Sequence, residues 1–221
     1  MHVEWYGQSA FRLQDGDTTV FIDPFGDMSA VASRGIEFNY PPIEGVDADL
    51  LLVTHEHLDH NVVDAVGGDP VILRSTAGTH ESPVGPVTGI ASEHDDVAGT
   101  QRGPNTIFVF TLGGVKVAHF GDFGQSELRP EQAAALGDVD LLIVPVGDGP
   151  TIGAELAHSI AEQTSARWIV PMHYRTHRTN FLEPADDFVG RFEHVARLEG
   201  SSFDLDELPG ERPLVVVPAA P

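Results

Sequence analysis

Short segments rich in β-branched and aromatic residues dominate the first third of the chain, and turn-forming residues separate them. Val3–Tyr6, Ala10–Leu13 and Thr18–Ile22 have this character, and the turn-forming sequence DGD lies between the last two. Such segments predict β-strands. The run DLLLV at Asp49–Val53 is apolar after its first residue, which is typical of a strand buried on both faces.

The rest of the chain alternates between similar apolar segments and segments of helical character. We predict further strands at Val71–Leu73, Val87–Ala91, Thr106–Thr111, Val115–Phe120, Asp140–Pro145, Trp168–Pro171 and Leu214–Val217. We predict helices at Pro130–Leu136, Ala154–Thr164 and Pro184–Arg197. The first and last of these open with proline, which favours the first turn of a helix. The Gly- and Pro-rich region Gly78–Gly103 predicts hairpins or a loop that lines a site.

A short motif that occurs twice indicates how these elements are arranged. DLLLVT at Asp49–Thr54 resembles DLLIVP at Asp140–Pro145. An aspartate that follows another apolar strand precedes each copy, Asp23 in VFID and Asp122 in VAHFGD. Two βα halves packed sheet against sheet, with helices outside, account for this repeat. The sequence therefore predicts an α/β fold, with residues 1–221 forming a single domain.

The amino-acid composition restricts the chemistry of any site. The 221 residues include no cysteine, 11 histidines and 34 acidic residues. The absence of cysteine excludes disulfides, Cys-type zinc fingers, iron–sulfur clusters and thiol nucleophiles. A transition-metal site in this chain must therefore consist of imidazole and carboxylate ligands.

The charge balance argues against polyanionic partners. The formal net charge is −22, and the 12 basic residues include a single lysine, Lys116. Such a chain repels nucleic acids and anionic membrane surfaces, and it has no Arg/Lys stripe that would overcome the repulsion. The N-terminal sequence lacks a signal-peptide pattern, and no apolar run approaches the roughly 20 residues that span a bilayer. We therefore expect a soluble cytoplasmic protein that acts on a small molecule.

The sequence THEHLDH directly follows the buried strand and carries the clearest chemical signal. His55 and His57 are two residues apart, so in an extended backbone both rings project to one side and can chelate one cation. Asp59 and His60 follow where the chain turns into a predicted helix at Asn61–Val66, and there they can face a second cation. The alternative is a solvated acidic loop. Three histidines and an aspartate within six residues favour the metal site.

This motif and four other positions resemble the metallo-β-lactamase-fold hydrolases. THEHLDH matches the family signature H-x-H-x-D-H. The other positions stand in the family's order along the chain: Asp23 in FIDP, His94 in ASEHDD, Asp122 in HFGD and His173 in VPMHY. The segments PVGDGPTIG and VPMHY look especially similar to the branch that groups metal-dependent hydrolases with ascorbate-6-phosphate lactonase.

The resemblance implies a four-layer αββα sandwich and a site for two divalent metal ions. The implied ligands form two groups that share one carboxylate: His55, His57 and His94 for the first metal, Asp59, His60 and His173 for the second, and Asp122 bridging both. Asp23 would orient the histidine-rich loop. Zinc is the expected metal, with manganese, iron and nickel as alternatives.

Four further residues have both a functional and a structural interpretation. His119 lies in the strand pattern VKVAHF, where it is either a hydrogen-bonded residue behind the metal site or a competitor of His94 as ligand. Asp148 and Thr151 occupy a Gly/Pro loop that either faces the metals or only forms a turn. Arg175 follows the last core strand and either receives an anionic substrate group or lies in solvent.

The expected activity follows from the resemblance and from metal chemistry. Divalent cations lower the pKa of bound water toward neutral, so that it can attack an ester, lactone or amide bond of a small molecule. We expect Asp59 to orient that water or to accept its proton, which gives it a catalytic role. Hydrolysis of a small phosphodiester and metal binding without turnover are the alternatives. Iron-based redox chemistry is disfavoured, because 221 residues leave no room for the flavin domain that redox relatives carry.

Overall fold

Two mixed β-sheets form the frame of the molecule. The computed structural model describes all 221 residues, Met1–Pro221. The strands are β1 His2–Gly7, β2 Ala10–Asp15, β3 Thr18–Ile22, β4 Leu50–Val53, β5 Val71–Arg74, β6 Gly78–Ser82, β7 Gly85–Glu93, β8 Pro104–Leu112, β9 Val115–His119, β10 Leu141–Pro145, β11 Trp168–Met172, β12 Val195–Arg197, β13 Ser202–Asp204 and β14 Leu214–Val217. The α-helices are α1 Pro130–Leu136, α2 Ala154–Thr164 and α3 Asp186–Val189, and 3₁₀ segments cover Ser29–Arg34, Val63–Ala65 and Leu205–Glu207.

Each sheet combines antiparallel hairpins with a parallel region. The strand order is β13-β1-β2-β3-β4-β5 in the six-stranded sheet and β12-β14-β11-β10-β9-β8-β7-β6 in the eight-stranded sheet. The two copies of the repeated motif form β4 and β10. Each copy lies parallel beside the strand that leads to its aspartate, β4 beside β3 and β10 beside β9. The two halves predicted from the repeat are therefore present, one in each sheet.

An apolar core fills the space between the sheets, and the alternation of side chains along each strand decides which residues enter it. In β3, Val20 and Ile22 belong to this core, which continues into a cluster of 46 buried residues that also includes residues of the helices. Phe21 between them belongs to a separate cluster on the opposite face. β4 repeats the pattern, with Leu51 on the opposite face. Phe108 of the eight-stranded sheet lies in the same core and is fully buried.

The outer layers of the two sheets differ. All three α-helices lie on the eight-stranded sheet, where α1 contacts β7, α2 contacts β10 and α3 packs on α2. The outer face of the six-stranded sheet is covered by an irregular segment, whose Phe25, Tyr40 and Ile43 pack with Phe21 and Leu51. Two facing sheets between outer layers confirm the predicted α/β sandwich. None of the helices has the length and apolar character that a membrane span requires.

Two predicted helices are wrong. In the predicted helix Pro184–Arg197, only Asp186–Val189 is helical, and Val195–Arg197 is strand β12. This strand pairs in parallel with β14, so sheet pairing outweighs the helical pattern. The predicted helix Asn61–Val66 is reduced to the 3₁₀ segment Val63–Ala65. Three of its six residues are valines, which lose side-chain freedom in an α-helix.

Phe108→Ala tests the core between the sheets. The side chain is fully buried there, so its truncation removes contacts and leaves a cavity. We expect the free energy of unfolding, measured by urea denaturation, to fall by about 3–5 kcal/mol. Leu58→Ala is the control, because Leu58 is 70% exposed and its truncation should cost less than about 0.5 kcal/mol. Equal effects of the two substitutions would contradict the assigned core.

Candidate metal centre

The seven residues proposed as metal ligands from sequence lie at one edge of the two sheets. They follow the carboxyl ends of four strands: His55, His57, Asp59 and His60 after β4, His94 after β7, Asp122 after β9 and His173 after β11. The carboxyl ends of parallel strands are the usual position for chemistry in α/β proteins. The fold thus brings together residues that are up to 118 positions apart, from His55 to His173.

The ligand atoms of these side chains form overlapping groups. Within each group, all the nitrogen and oxygen atoms that could bind a metal lie within 4.8 Å of one another: His55, His57 and His94; His55, His60 and Asp122; Asp59, His60 and His173. The first and third groups are the two sets of ligands that the resemblance implied. Asp122 joins them through its contacts with both.

The Asp122 carboxylate lies at the middle of the cluster. Its Oδ2 is 3.2 Å from the Nε2 atoms of His94 and His173 and 3.3 Å from that of His60. The Nε2 atom of His55 is 3.9 Å away. The Asp122 side chain is only 3% exposed, so this oxygen is turned away from solvent and toward the four rings.

Residues that belong to no recognisable sequence motif hold Asp122 and Asp59 in place. The Ser9 hydroxyl donates a hydrogen bond to the other carboxylate oxygen at 3.2 Å, and the Asp122 backbone N–H donates to the Asn105 side-chain oxygen at 3.0 Å. Gln8 is fully buried, and its side-chain nitrogen lies 3.5 Å from Asp59. These three residues could not be identified from the sequence, because single polar residues at strand ends carry no recognisable pattern.

Asp23 orients two of the imidazole rings from behind. One of its carboxylate oxygens accepts hydrogen bonds from His60 Nδ1 at 2.9 Å and from the Thr54 hydroxyl at 2.7 Å. The Thr54 oxygen is in turn 3.1 Å from His55 Nδ1, from which it accepts a hydrogen bond. In their neutral form both rings therefore carry the proton on Nδ1, which leaves the Nε2 lone pair facing the cluster, the form in which imidazole binds a metal.

Charges and burial set the protonation of the cluster. Burial lowers the pKa of His55 to about 2 and also lowers the pKa of His57. Burial alone would raise the pKa of Asp122, but the neighbouring His173 and His60 hold it well below its usual range. For His60, burial opposes the effect of Asp122, Asp59 and Asp23, and these carboxylates raise its pKa well above the ordinary value. The same negative field favours a cation at this position.

The donor set fits a divalent transition metal. His60 Nε2 is buried and has no hydrogen-bond partner, although Asp122 and Asp59 oxygens lie 3.3 and 3.5 Å away. A buried polar atom without a partner is uncommon and indicates a missing ligand. Imidazole nitrogen and carboxylate oxygen together suit zinc, manganese, iron or nickel.

Two glycines let the loops of the cluster approach one another. A Cβ atom at Gly124 would overlap the backbone carbonyl of His94, and one at Gly147 would overlap the carbonyl oxygen of His173. Glycine is required where one backbone packs this closely against another. His173 itself has a φ of 50°, a left-handed conformation that costs free energy and persists only where the surrounding structure enforces it.

His119 is fully buried but does not belong to the cluster. Its Nε2 donates a hydrogen bond to the Ser9 carbonyl at 3.0 Å, and its Nδ1 accepts one from the Gly121 N–H at 3.2 Å. Both ring nitrogens are therefore occupied, and burial lowers the pKa of the ring. The structure agrees with the first of the two interpretations made from sequence, because His119 lies behind the site. Its hydrogen bond positions Ser9, whose hydroxyl donates to Asp122.

The cluster opens into a cavity of about 360 Å³. Apolar and cationic side chains surround its mouth, and the lining residues are Met28, Val31, Arg34, Ile36, Phe38, His57, Leu58, Asp59, His94, Arg102, Asp122, Pro150, His173 and Phe181. The Asp59 side chain is 20% exposed at this opening, whereas the His60 side chain behind it is fully buried.

The three residues considered for substrate contact lie outside this cavity lining. Asp148 lines a separate acidic cavity that also contains Glu183. The Thr151 side chain is buried, with its hydroxyl directed at the Ile152 carbonyl 3.5 Å away. Arg175 donates to the Leu182 carbonyl and lies 3.6 Å from the Glu183 carboxylate.

Comparison with known proteins agrees with this geometry. The family described as the Beta-lactamase superfamily domain matches residues 2–173. A relative from Heliobacterium modesticaldum, named UPF0173 metal-dependent hydrolase, is 31% identical, with 80% of this chain and 83% of the relative covered. A relative of the same name from Methanosphaera stadtmanae is 28% identical, with 80% and 85% covered.

A solved structure shows the same similarity at the level of the whole fold. It is a protein of the metallo-β-lactamase superfamily from Thermotoga maritima, 31% identical in sequence with a TM-score of 0.79. The match covers 99% of this chain and 98% of that one. The chain therefore belongs to the metallo-β-lactamase superfamily.

Proposed function

We propose that this protein is a hydrolase that uses two divalent metal ions, with zinc as the preferred metal. One observation carries the proposal: a single buried oxygen of Asp122 lies 3.2–3.3 Å from three imidazole nitrogens. An ionised carboxylate is costly to bury unless positive charge compensates it, and metal ions supply that charge. The names of the curated relatives, metal-dependent hydrolases, support the metal-dependent hydrolysis in this proposal.

The proposed ligand sets follow the geometry of the side chains. His55, His57 and His94 would hold one metal, and Asp59, His60 and His173 would hold the other, with Asp122 between them. Metals at these positions would supply Lewis acidity and lower the pKa of water. The chain offers no cysteine as a nucleophile, so water is the attacking group that this site favours.

Asp59 is the residue that we assign to proton transfer. Its side chain is the more exposed of the two carboxylates in the cluster, at 20% against 3% for Asp122. Burial would raise the pKa of Asp59, but the adjacent His60 lowers it, so Asp59 is ionised at neutral pH. An ionised carboxylate at the cavity wall can orient water and accept its proton. The nearby Gln8 amide restricts its rotation.

The cavity favours a small substrate. Its volume of about 360 Å³ fits a molecule of metabolite size. An ester, lactone or amide is the bond that we propose, and a small phosphodiester is the second candidate. Binding of metal without turnover is the third. Initial rates on para-nitrophenyl esters and on bis-para-nitrophenyl phosphate, with and without chelator, separate the three. No chelator-sensitive turnover of any substrate, combined with tight metal binding, would favour the third.

Asp122→Asn tests the central carboxylate. The substitution keeps the size of the side chain but removes the charge that we propose to hold both metals. We expect hydrolysis to fall by more than about 100-fold, since even residues behind metal ligands commonly matter 10–100-fold. Circular dichroism should show a folded protein. Full activity of a metal-replete His57→Ala, Asp122→Asn double variant would disprove the proposed chemistry.

Asp23→Asn tests the hydrogen bonds by which Asp23 orients the rings of His55 and His60. Asn presents an N–H group or a neutral oxygen to His60 and Thr54, so the hydrogen bonds that fix both tautomers weaken. We expect metal affinity, measured by competition with a chromogenic chelator, to fall about 10–100-fold. Asp64→Asn is the matched control, because Asp64 is exposed and lies outside the cluster. Unchanged affinity in Asp23→Asn would show that these hydrogen bonds do not tune the site.

A further inference from the structure

Most of the few basic residues in this acidic chain are engaged by carboxylates or backbone carbonyls of the same chain. The chain has 12 basic residues against 34 acidic ones. Nine of the twelve place their side-chain nitrogens against a carboxylate or a backbone carbonyl. The three that do not are Arg34, Arg102 and Arg191. Two of these, Arg34 and Arg102, line the cavity over the metal cluster.

The loop that carries Arg102 is fixed to the cluster. Asp95 directly follows the proposed ligand His94 and is 7% exposed. Its carboxylate accepts hydrogen bonds from the backbone N–H groups of residues 97, 99, 101 and 102, at 2.7–3.0 Å. The loop closes where the His94 N–H donates to the Gly103 carbonyl at 3.1 Å. Asp95 is therefore fully engaged by the backbone, and the Arg102 guanidinium remains without a partner beside the cavity.

Arg34 is held on the same cavity by different contacts. It ends the 3₁₀ segment Ser29–Arg34. The Asn180 side chain binds the backbone directly after Arg34. It accepts a hydrogen bond from the Glu37 N–H at 3.0 Å and donates one to the Gly35 carbonyl at 3.3 Å. Asn180 lies on the loop after His173, so two elements of the site position this arginine. Arg34 and Arg102 are both exposed, so neither side chain belongs to the packed core.

The walls next to these arginines are apolar. Leu58 is 70% exposed and Phe181 is 37% exposed, and both belong to the cavity lining together with Val31 and Phe38. Large apolar side chains exposed around a pocket mark a site for an apolar group. The net charge of −22 would repel an anion from the rest of the surface, so unpaired guanidinium groups at one mouth select for anions there.

We propose that the substrate is a small molecule with an apolar body and an oxyanion, a carboxylate or a phosphate, which Arg34 and Arg102 bind. This proposal rests on the proposed function, because it places the bond to be cleaved at the metals and the oxyanion at the cavity mouth. Guanidinium groups bind carboxylate and phosphate alike, through paired charge-assisted hydrogen bonds. Both oxyanions are therefore included in the test.

The test compares three para-nitrophenyl esters on the metal-replete protein. The valerate ester is neutral, the glutarate monoester has the same acyl length with a terminal carboxylate, and the γ-phosphonobutyrate ester ends in a phosphonate. We expect kcat/KM for an anionic ester to exceed that for the neutral one by about tenfold or more. The larger of the two ratios identifies the preferred oxyanion. Arg34→Gln and Arg102→Gln should each lower the anionic-to-neutral ratio toward one.

Arg191→Gln is the matched control, because Arg191 is the third arginine without a partner but does not line the cavity. It should leave the ratio unchanged. A wild-type ratio near one, or an anionic preference that survives both cavity substitutions, would overturn the proposal.

A binding measurement separates this proposal from the hydrolase proposal. If no ester is cleaved in a metal-dependent way, the hydrolase proposal fails. The rise in thermal midpoint is then compared for glutaranilic acid, which carries a carboxylate, and for neutral valeranilide. Anion binding at this mouth is supported if the acid alone raises the thermal midpoint and if this rise disappears in Arg34→Gln and Arg102→Gln. Equal shifts, or shifts that the two substitutions do not change, overturn it.

Discussion

The contacts of one carboxylate oxygen connect both sheets at the candidate metal centre. Oδ2 of Asp122, which follows β9, lies within 3.3 Å of imidazole nitrogens from residues that follow β4, β7 and β11. β4 belongs to the six-stranded sheet and the other strands to the eight-stranded sheet. These contacts persist only while the two sheets keep their relative position. The apolar core between them is therefore what keeps the site assembled.

The surroundings of the cluster fix its geometry in advance. Asp23 bonds His60 directly and bonds Thr54, which contacts His55, so one buried carboxylate sets two ring orientations. His119 and Ser9 hold Asp122 from the other side. Asp23 also has a left-handed backbone, with a φ of 52°. Such conformations cost free energy and persist where the surrounding structure enforces them, which agrees with a site built before its ligand arrives.

The parts of the structure that follow from local patterns could be predicted from sequence, and the parts that depend on long-range packing could not. Buried strands such as Leu50–Val53 have unbroken apolar runs, and the motif at His55–His60 combines a strand end with dense ligand residues. The region Gly78–Gly103 contains both predicted alternatives, the β6–β7 hairpin and a loop beside the site. Strand β12, by contrast, exists because it pairs with β14, a partner about 20 residues away.

The cavity lining shows the same limit. Arg34 and Arg102 lie in segments without any catalytic motif, and only the folded chain shows that both lack partners at one mouth. Arg175, which its proximity to His173 made one candidate for an anionic substrate group, is instead engaged by the Leu182 carbonyl and by Glu183. Proximity along the chain is a poor guide to which side of a loop faces a site, because loop conformation is set by contacts elsewhere.

The most direct test of the account is elemental analysis of the protein purified without added metal or chelator, with zinc, manganese, iron and nickel quantified per chain. Two sets of imidazole and carboxylate donors, both in contact with Asp122, predict close to two equivalents of metal. A chain that contains no metal, and that takes up none when it is reconstituted, would contradict the central claim.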